Sequence, residues 1–228
     1  LEAASIKPTP IPRIWLGAPN SIKGPTEVAF HRQSGNNLLL VGQRDEAILA
    51  IFSVGLVSLA AQFPRDSARI ILCDGSAPGT PPREYLEKLA QTIPHNLTIA
   101  KAGDLPEIMK SLADEMARRA NDTAAAEGPP TFLFLHGLQK FNKLRWEEDF
   151  GFSTPDPDAS PNPAVLHNNL ICEGTRLGFH VIASCDTYNN VMRMLSRKAL
   201  SEFEMRVVFQ MSANDSSSLI DTPAASTL

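Results

Sequence analysis

Along this chain, short and nearly unbroken apolar runs are separated by longer amphipathic or polar segments. The runs Leu38–Val41 (LLLV), Ala68–Cys73 (ARIILC), Thr131–Leu135 (TFLFL), Phe179–Cys185 and Met205–Met211 predict strands buried on both faces, since a strand with one wet face would alternate instead. Leu97–Ala100 predicts a further short strand. Arg13–Leu16 and Thr26–His31 predict strands at a sheet edge, parted by a Gly/Pro/Asn loop. Between the runs, Glu46–Gln62, Arg83–Gln91, Leu105–Arg119, Ala164–Leu177 and Asn189–Phe203 predict helices. In the third of these, Leu105, Ile108, Met109, Leu112 and Met116 form one apolar stripe. Asp45 is placed to cap the first helix. Ser212–Leu228 is polar and predicts at most a short helix. Strands alternating with helices predict an α/β domain, with a mostly parallel central sheet covered by helices on both faces.

The chain has 228 residues, 43% of them apolar and 20% charged, which suits one large domain with a core of its own. Pro8, Pro10 and Pro12 mark residues 1–12 as an extended linker ahead of a domain at 13–228. An acidic, proline-rich stretch at about 143–163 predicts a long surface loop. Within it Trp146 stands beside Glu147, Glu148 and Asp149 on an otherwise solvated face, as a candidate anchor for a partner. The net charge of −4 argues against the broad basic surface of a stand-alone nucleic-acid binder. Three cysteines without close spacing predict no zinc site, and Cys73 and Cys185 read as reduced core thiols of a cytoplasmic protein. Ala47–Ala61 is the longest apolar run. It is short for a membrane span and follows Arg44, Asp45 and Glu46, so it predicts a buried helix and no direct membrane insertion. The N-terminal residues lack the apolar core of a signal peptide.

Leu38–Val41, Gly42, a short polar turn and a long helix have the frame of a phosphate-binding P-loop, GxxxxGK followed by Ser or Thr. Gly42 takes the first place. Gln43, Arg44, Asp45 and Glu46 follow, and Ala47, Ile48 and Leu49 stand where glycine, lysine and the hydroxyl belong. A working loop needs the lysine for the outer phosphates and the hydroxyl for Mg²⁺, with an acidic residue after a neighbouring strand. After TFLFL stand His136 and Gly137. Arg44 could reach a phosphate, opposed by Asp45 and Glu46. The expectation is no cofactor and no metal; bound ATP and Mg²⁺ belong to an alternative in which the loop works. His136 and Asp186 also allow an unrelated hydrolase or transferase, although no nucleophile motif adjoins them.

MRVVFQMSANDSSSLIDTPAASTL, residues 205–228, resembles the last part of the FtsK/SpoIIIE motor domain. Arg206, Phe209, Ser212, Asp215, Ser216, Asp221, Ala224 and Leu228 fall on matching positions. GFHVIASCDT, residues 178–187, is similar to a strand of that family, and Asp74 falls where the family has an Asp after its second strand. The resemblance implies a RecA-like P-loop NTPase fold in a ring or tandem array of ATPase domains that pumps DNA or protein. It also implies a cytoplasmic location, as part of a machine anchored at a membrane. The departures are systematic. Ile48 and Leu49 replace the Walker A lysine and hydroxyl, and His136 and Gly137 the Walker B acids. Cys185 replaces the sensor glutamine, next to Asp186, and Ser217 an arginine. Polar positions are lost while packing positions remain, which implies a non-catalytic copy within a larger translocase, with other ATPase domains as partners and DNA or protein as the substrate of the parent motor. The alternative is an active ATP-driven DNA translocase with an unusual P-loop.

Overall fold

The computed structural model describes residues 11–18, 22, 24–95, 97–147 and 161–228. Residues 1–10 of the predicted linker lie outside them, as do residues 148–160 of the predicted acidic loop, Glu148 and Asp149 included. In chain order the strands are β1 (Arg13–Gly17), β2 (Thr26–Ala29), β3 (Leu38–Val41), β4 (Arg69–Asp74), β5 (Leu97–Ala100), β6 (Thr131–His136), β7 (Phe179–Cys185) and β8 (Met205–Val208). The helices are α1 (Asp45–Gln62), α2 (Pro81–Thr92), α3 (Leu105–Asn121), α4 (Thr123–Ala126), α5 (Pro163–Glu173), α6 (Tyr188–Met194), α7 (Arg197–Ser201) and α8 (Ala213–Ile220).

Six strands form one sheet in the order β5-β4-β6-β7-β3-β8, and every pairing in it is parallel. The apolar runs are continuous because both faces are covered. Leu39, Val41, Ile71, Cys73, Leu133, Leu135, Val181 and Ala183 face one core cluster, with α3 and α5. Leu38, Leu40, Ile70, Leu72, Phe132, Phe134 and Ile182 face the other, with α1 and α2. Burying such side chains contributes on the order of 2 kcal/mol each. Parallel strands force a crossover after each one, which brings the chain out at the same sheet edge every time. Gly42, Asp74, His136 and Cys185 therefore all end up along that edge.

Several expectations are corrected. β1 and β2 do not extend the main sheet. They make a separate antiparallel pair, which packs on α1. Gln62 fastens it there by accepting from the Arg13 N–H at 2.9 Å and donating to the Arg13 carbonyl at 2.6 Å. Asp45 is the first residue of α1 rather than its cap; Arg44 precedes the helix and makes no side-chain cap bond. The predicted helix 189–203 is two helices, because Ser196 stops the first and caps the second by accepting from the Ala199 N–H at 3.0 Å. The predicted helix 164–177 tightens into a 3-10 turn from Gly174 onwards. The connection 121–130 holds the short α4, and β8 stops at Val208 instead of reaching Met211. Local apolar periodicity does not register the break at Ser196, made by a polar side chain, or the end of β8 at Val208, opposite the last residue of its partner β3. By length and composition α1 could cross a membrane, yet Ile48, Phe52, Leu56 and Leu59 are buried against the sheet.

Candidate functional site

In a parallel sheet with helices on both faces, ligands bind beyond the carboxyl ends of the strands. Here that edge holds a cavity of about 340 Å³, walled by Ile48 and Leu49 of α1, Ser76 and Thr80 after β4, His136 at the end of β6 with Lys140 beyond it, and Cys185 at the end of β7 with Asp186 beyond it. The parallel sheet therefore gathers most of the sequence-predicted site residues at one place: Gly42, Asp45, Glu46, Ile48, Leu49, His136, Gly137, Cys185 and Asp186. Gln43, Arg44 and Ala47 lie outside it on the open side of the turn.

The turn itself is short. Only Gly42, Gln43 and Arg44 separate β3 from α1. In the motif the helix starts near the lysine, and the preceding residues wrap a phosphate with their N–H groups. Here the fourth to eighth motif places, Asp45 to Leu49, are already wound into α1. Gly42 has φ +144, and a Cβ there would stand 2.7 Å from Cβ of Phe209, so glycine is required by the chain's own packing. Ile48 is buried in the core and Leu49 is half-buried at the cavity wall. The carboxylates of Asp45 and Glu46 occupy the first turn of α1, where they suit the positive end of the helix and repel a phosphate.

At the end of β6, His136 turns to β4. Its Nδ1 lies 2.9 Å from Oδ1 of Asp74 and 3.3 Å from Oγ of Ser76. Ser76 N–H also donates to Asp74 Oδ1 at 2.9 Å, and the Arg83 guanidinium reaches Oδ2 at 3.3 Å and Glu87 at 2.7 Å. Burial opposes ionisation of Asp74, but the hydrogen bonds from His136 and Ser76 outweigh it and hold the carboxyl down to about 2. An ionised Asp74 requires the proton on Nδ1 of His136. Ser76 and Asp74 thus compete for one nitrogen. A hydrolytic triad needs its serine and its acid on opposite nitrogens, so this cluster does not have that geometry. The ring of His136 is fixed edge-on to Phe52, with centroids 5.5 Å apart.

The remaining predicted residues make the following contacts. Asp186 accepts from Asn190 Nδ2 at 2.7 Å and from Thr187 Oγ at 3.3 Å, bracing the start of α6. Burial pushes the Cys185 thiol up to about 12, and Cys73 likewise, so both stay protonated. Gly137 adopts φ +77 and donates its N–H to Ser184 Oγ at 2.9 Å. Trp146 is half-buried, its backbone N–H donating to the Arg193 carbonyl at 3.1 Å. Ser217 is exposed on α8. Sequence reading missed Ser76, Arg83, Lys140 and Ser184 as members of the site. The one available signal was Asp74 at a strand end, followed by an arginine in the next helix. Among the described residues no group of three or more His, Cys, Asp or Glu side chains is placed to hold a metal ion.

The strand order defines the class: β3, which leads into the P-loop position, is flanked by β8 and β7, and β6 with His136 lies one strand further out. This is the RecA-like P-loop ATPase fold. Solved structures share it. The pCW3 conjugation coupling protein TcpA, solved as a monomer with ATPγS, matches 94% of this chain over 59% of its own, with a TM-score of 0.65 at 13% identity. Thermomonospora curvata EccC, ATPases 2 and 3 in complex with a signal sequence peptide, matches 90% of this chain over 35% of its own, with a TM-score of 0.63 at 14% identity. The cytoplasmic domain of EssC matches 92% of this chain, with a TM-score of 0.54 at 14% identity. Within the class, then, the fold is that of FtsK/SpoIIIE-type ATPase domains. The chain spans about a third of the EccC chain that holds ATPases 2 and 3. No protein-family model and no curated protein matches its sequence.

Proposed function

We propose that this domain is a non-catalytic FtsK/SpoIIIE-like ATPase module of a larger DNA or protein translocase, acting in assembly, regulation or partner docking. The observation that carries this reading is the three-residue turn from β3 to α1. A lost lysine alone would leave a phosphate cradle in place. A turn this short leaves no loop to wrap a phosphate, and it puts the carboxylates of Asp45 and Glu46 in the first turn of α1, the helix end that would otherwise attract one. The Walker B place supports the same reading, since the proton of His136 Nδ1 is committed to Asp74. The partners are other ATPase domains of the same chain or ring, in the cytoplasm, and the parent motor moves DNA or protein. EccC, solved with two of its ATPase domains in one chain, is the kind of assembly envisaged.

Titration calorimetry with Mg-ATP and with a non-hydrolysable analogue tests the proposal. No heat of binding is expected up to millimolar nucleotide. Micromolar binding that Ile48 substitutions alter, or DNA-stimulated phosphate release by the full-length protein that depends on Arg44, overturns it in favour of the active motor.

A further inference from the structure

The opposite end of the sheet, where the strands begin, holds a second recess. Arg69 is the first residue of β4 and Thr131 the first of β6, and the two are register partners. Thr131 pairs in turn with Phe179, the first residue of β7. Each stands two residues before a side chain of the core cluster that α3 and α5 cover, namely Ile71, Leu133 and Val181, so alternation puts all three on the α3 side of the sheet. The last turns of α3 reach the same place. Arg119 lies over the ring of Phe179, 4.4 Å from its centroid, and donates from Nη1 to the Leu177 carbonyl at 2.9 Å. Here Arg69, Thr131, Glu115 and Arg119, together with the exposed Asp66, line a cavity of about 270 Å³.

The fold leaves the polar groups of this cavity unmatched. Thr131 is 1% exposed, and its hydroxyl has no hydrogen-bond partner, a state that buried polar groups rarely keep. Arg119 is buried as well, at 5%. The Arg69 guanidinium has a 3.5 Å contact with Ser111 Oγ, the outer limit of a hydrogen bond, and is in no ion pair among the described residues. The carboxylate of Glu115 is already taken. Its Oε1 accepts from Arg118 Nη2 at 2.7 Å and from Arg119 Nε at 2.8 Å, and its Oε2 accepts from Arg118 Nε at 2.7 Å. Two guanidiniums thus share one carboxylate, and the trio keeps a net positive charge. Arg69 adds a further positive charge, which Asp66 offsets. What the cavity lacks is an acceptor.

We infer that this recess binds a phosphate group, free or carried by a small monoester, with Arg69, Arg119 and the Thr131 hydroxyl as its donors. The donors come from two strands and a helix, so they meet a ligand from separate sides. That suits a tetrahedral group with oxygens in several directions, whereas a planar carboxylate is met by a single guanidinium fork. Guanidinium is also the side-chain cation that stays charged when buried and still donates in a fixed geometry, as Arg119 must here. The Thr131 hydroxyl then gains the acceptor that the fold does not give it. The inference is independent of the nucleotide reading, because this cavity lies where β4 and β6 start and the P-loop position lies beyond the far ends of the strands.

Titration of the whole 228-residue chain with inorganic phosphate and, separately, with O-phosphoserine tests it, at constant ionic strength and read by calorimetry and amide NMR. Saturable binding of at least one of the two is expected, with shifts at Arg69, Thr131 and Arg119. The tighter of the two identifies the source of the phosphate group. Arg69→Gln and Thr131→Val each weaken binding at least roughly tenfold, since each removes a hydrogen bond to a charged group. Arg69 is exposed, and Thr131→Val removes only an unpartnered hydroxyl, so Tm without phosphate stays unchanged or rises. Absence of saturable binding of either compound up to tens of millimolar overturns the inference, and so does binding that either substitution leaves intact. Equally tight binding of acetate overturns the assignment to phosphate.

Discussion

The C-terminal segment, residues 205–228, and the turn after β3 lie side by side on the sheet and differ in what their residues do. In the C-terminal segment, residues that carry the family resemblance hold backbone. Arg206 donates to the carbonyls of Phe203 at 2.7 Å, Leu219 at 2.5 Å and Leu200 at 2.9 Å, tying α7 and α8 to β8. Ser212 caps α8 through the Asp215 N–H. The buried Ser216 hydroxyl donates to the Thr222 carbonyl and accepts from the Ala225 N–H. Asp221 ends α8 in the left-handed conformation. In the turn after β3, the positions assigned to phosphate and magnesium hold a buried Ile48 and a half-buried Leu49 inside a helix. The fold needs the first set whether or not a nucleotide is present, and uses the second only for packing, through Gly42 and the apolar bodies of Ile48 and Leu49. A family motif made of architectural residues therefore reports the fold, and only the chemical motif reports activity.

This contrast can be broken or sharpened by experiment. The largest effect is expected at Asp74, because it joins the two regions' logic: Asp74→Ala leaves the buried Arg83 and the His136 N–H without their carboxylate and should cost about 4 kcal/mol in urea unfolding. The pH dependence has a definite sign. Asp74 is held down to about 2, below the usual value of an unfolded chain, so its contribution is complete above about pH 4 and disappears as pH falls through 2. If Asp74 were instead a catalytic acid held apart from the fold, the substitution would leave stability unchanged. Arg206→Ala should cost about 3 kcal/mol by the same measurement, through three carbonyls that lose the guanidinium as a donor. A small loss there would mean that the C-terminal resemblance is not architectural.

A third effect separates the core from both regions. Burial holds His167 down to about 4, and burial does the same to His180 despite its bond to the Asn36 carbonyl. Below about 6.5 the unfolded chain takes protons that the folded chain refuses, so stability falls as pH drops from 6.5 to 4. Tm should fall by at least about 5 °C over that range, and His167→Phe should reduce the fall. Ser212→Ala should cost about 1 kcal/mol, the ordinary loss of a helix cap. The smallest expected effect is none at all: Ile48→Lys with Leu49→Thr should confer no ATP binding in calorimetry, because the side chains return without the loop. Gain of micromolar binding would show that side-chain loss, and not the short turn, disables the site.

The sequence by itself determined the class of this protein. Continuous apolar strands spaced by helices require a parallel sheet with two covered faces, and Leu38–Val41, Thr131–Leu135 and Phe179–Cys185 could be read as its centre directly. The missing lysine, hydroxyl and acids were equally legible, because they are single positions in a fixed local spacing. Only the tertiary structure gave the length of the turn, three residues between β3 and α1, and the closeness of Gly42 within it to Phe209, far along the chain. Only it decided that Asp74, Ser76, Arg83 and His136 form one cluster, because β4 and β6 become neighbours through pairing that no local pattern encodes. It alone showed the hairpin of β1 and β2 standing off the sheet, and α1 keeping one apolar face in water. Hydrophobic periodicity records that a segment is buried. Which partner buries it, and which face is left over, is a property of the assembled fold.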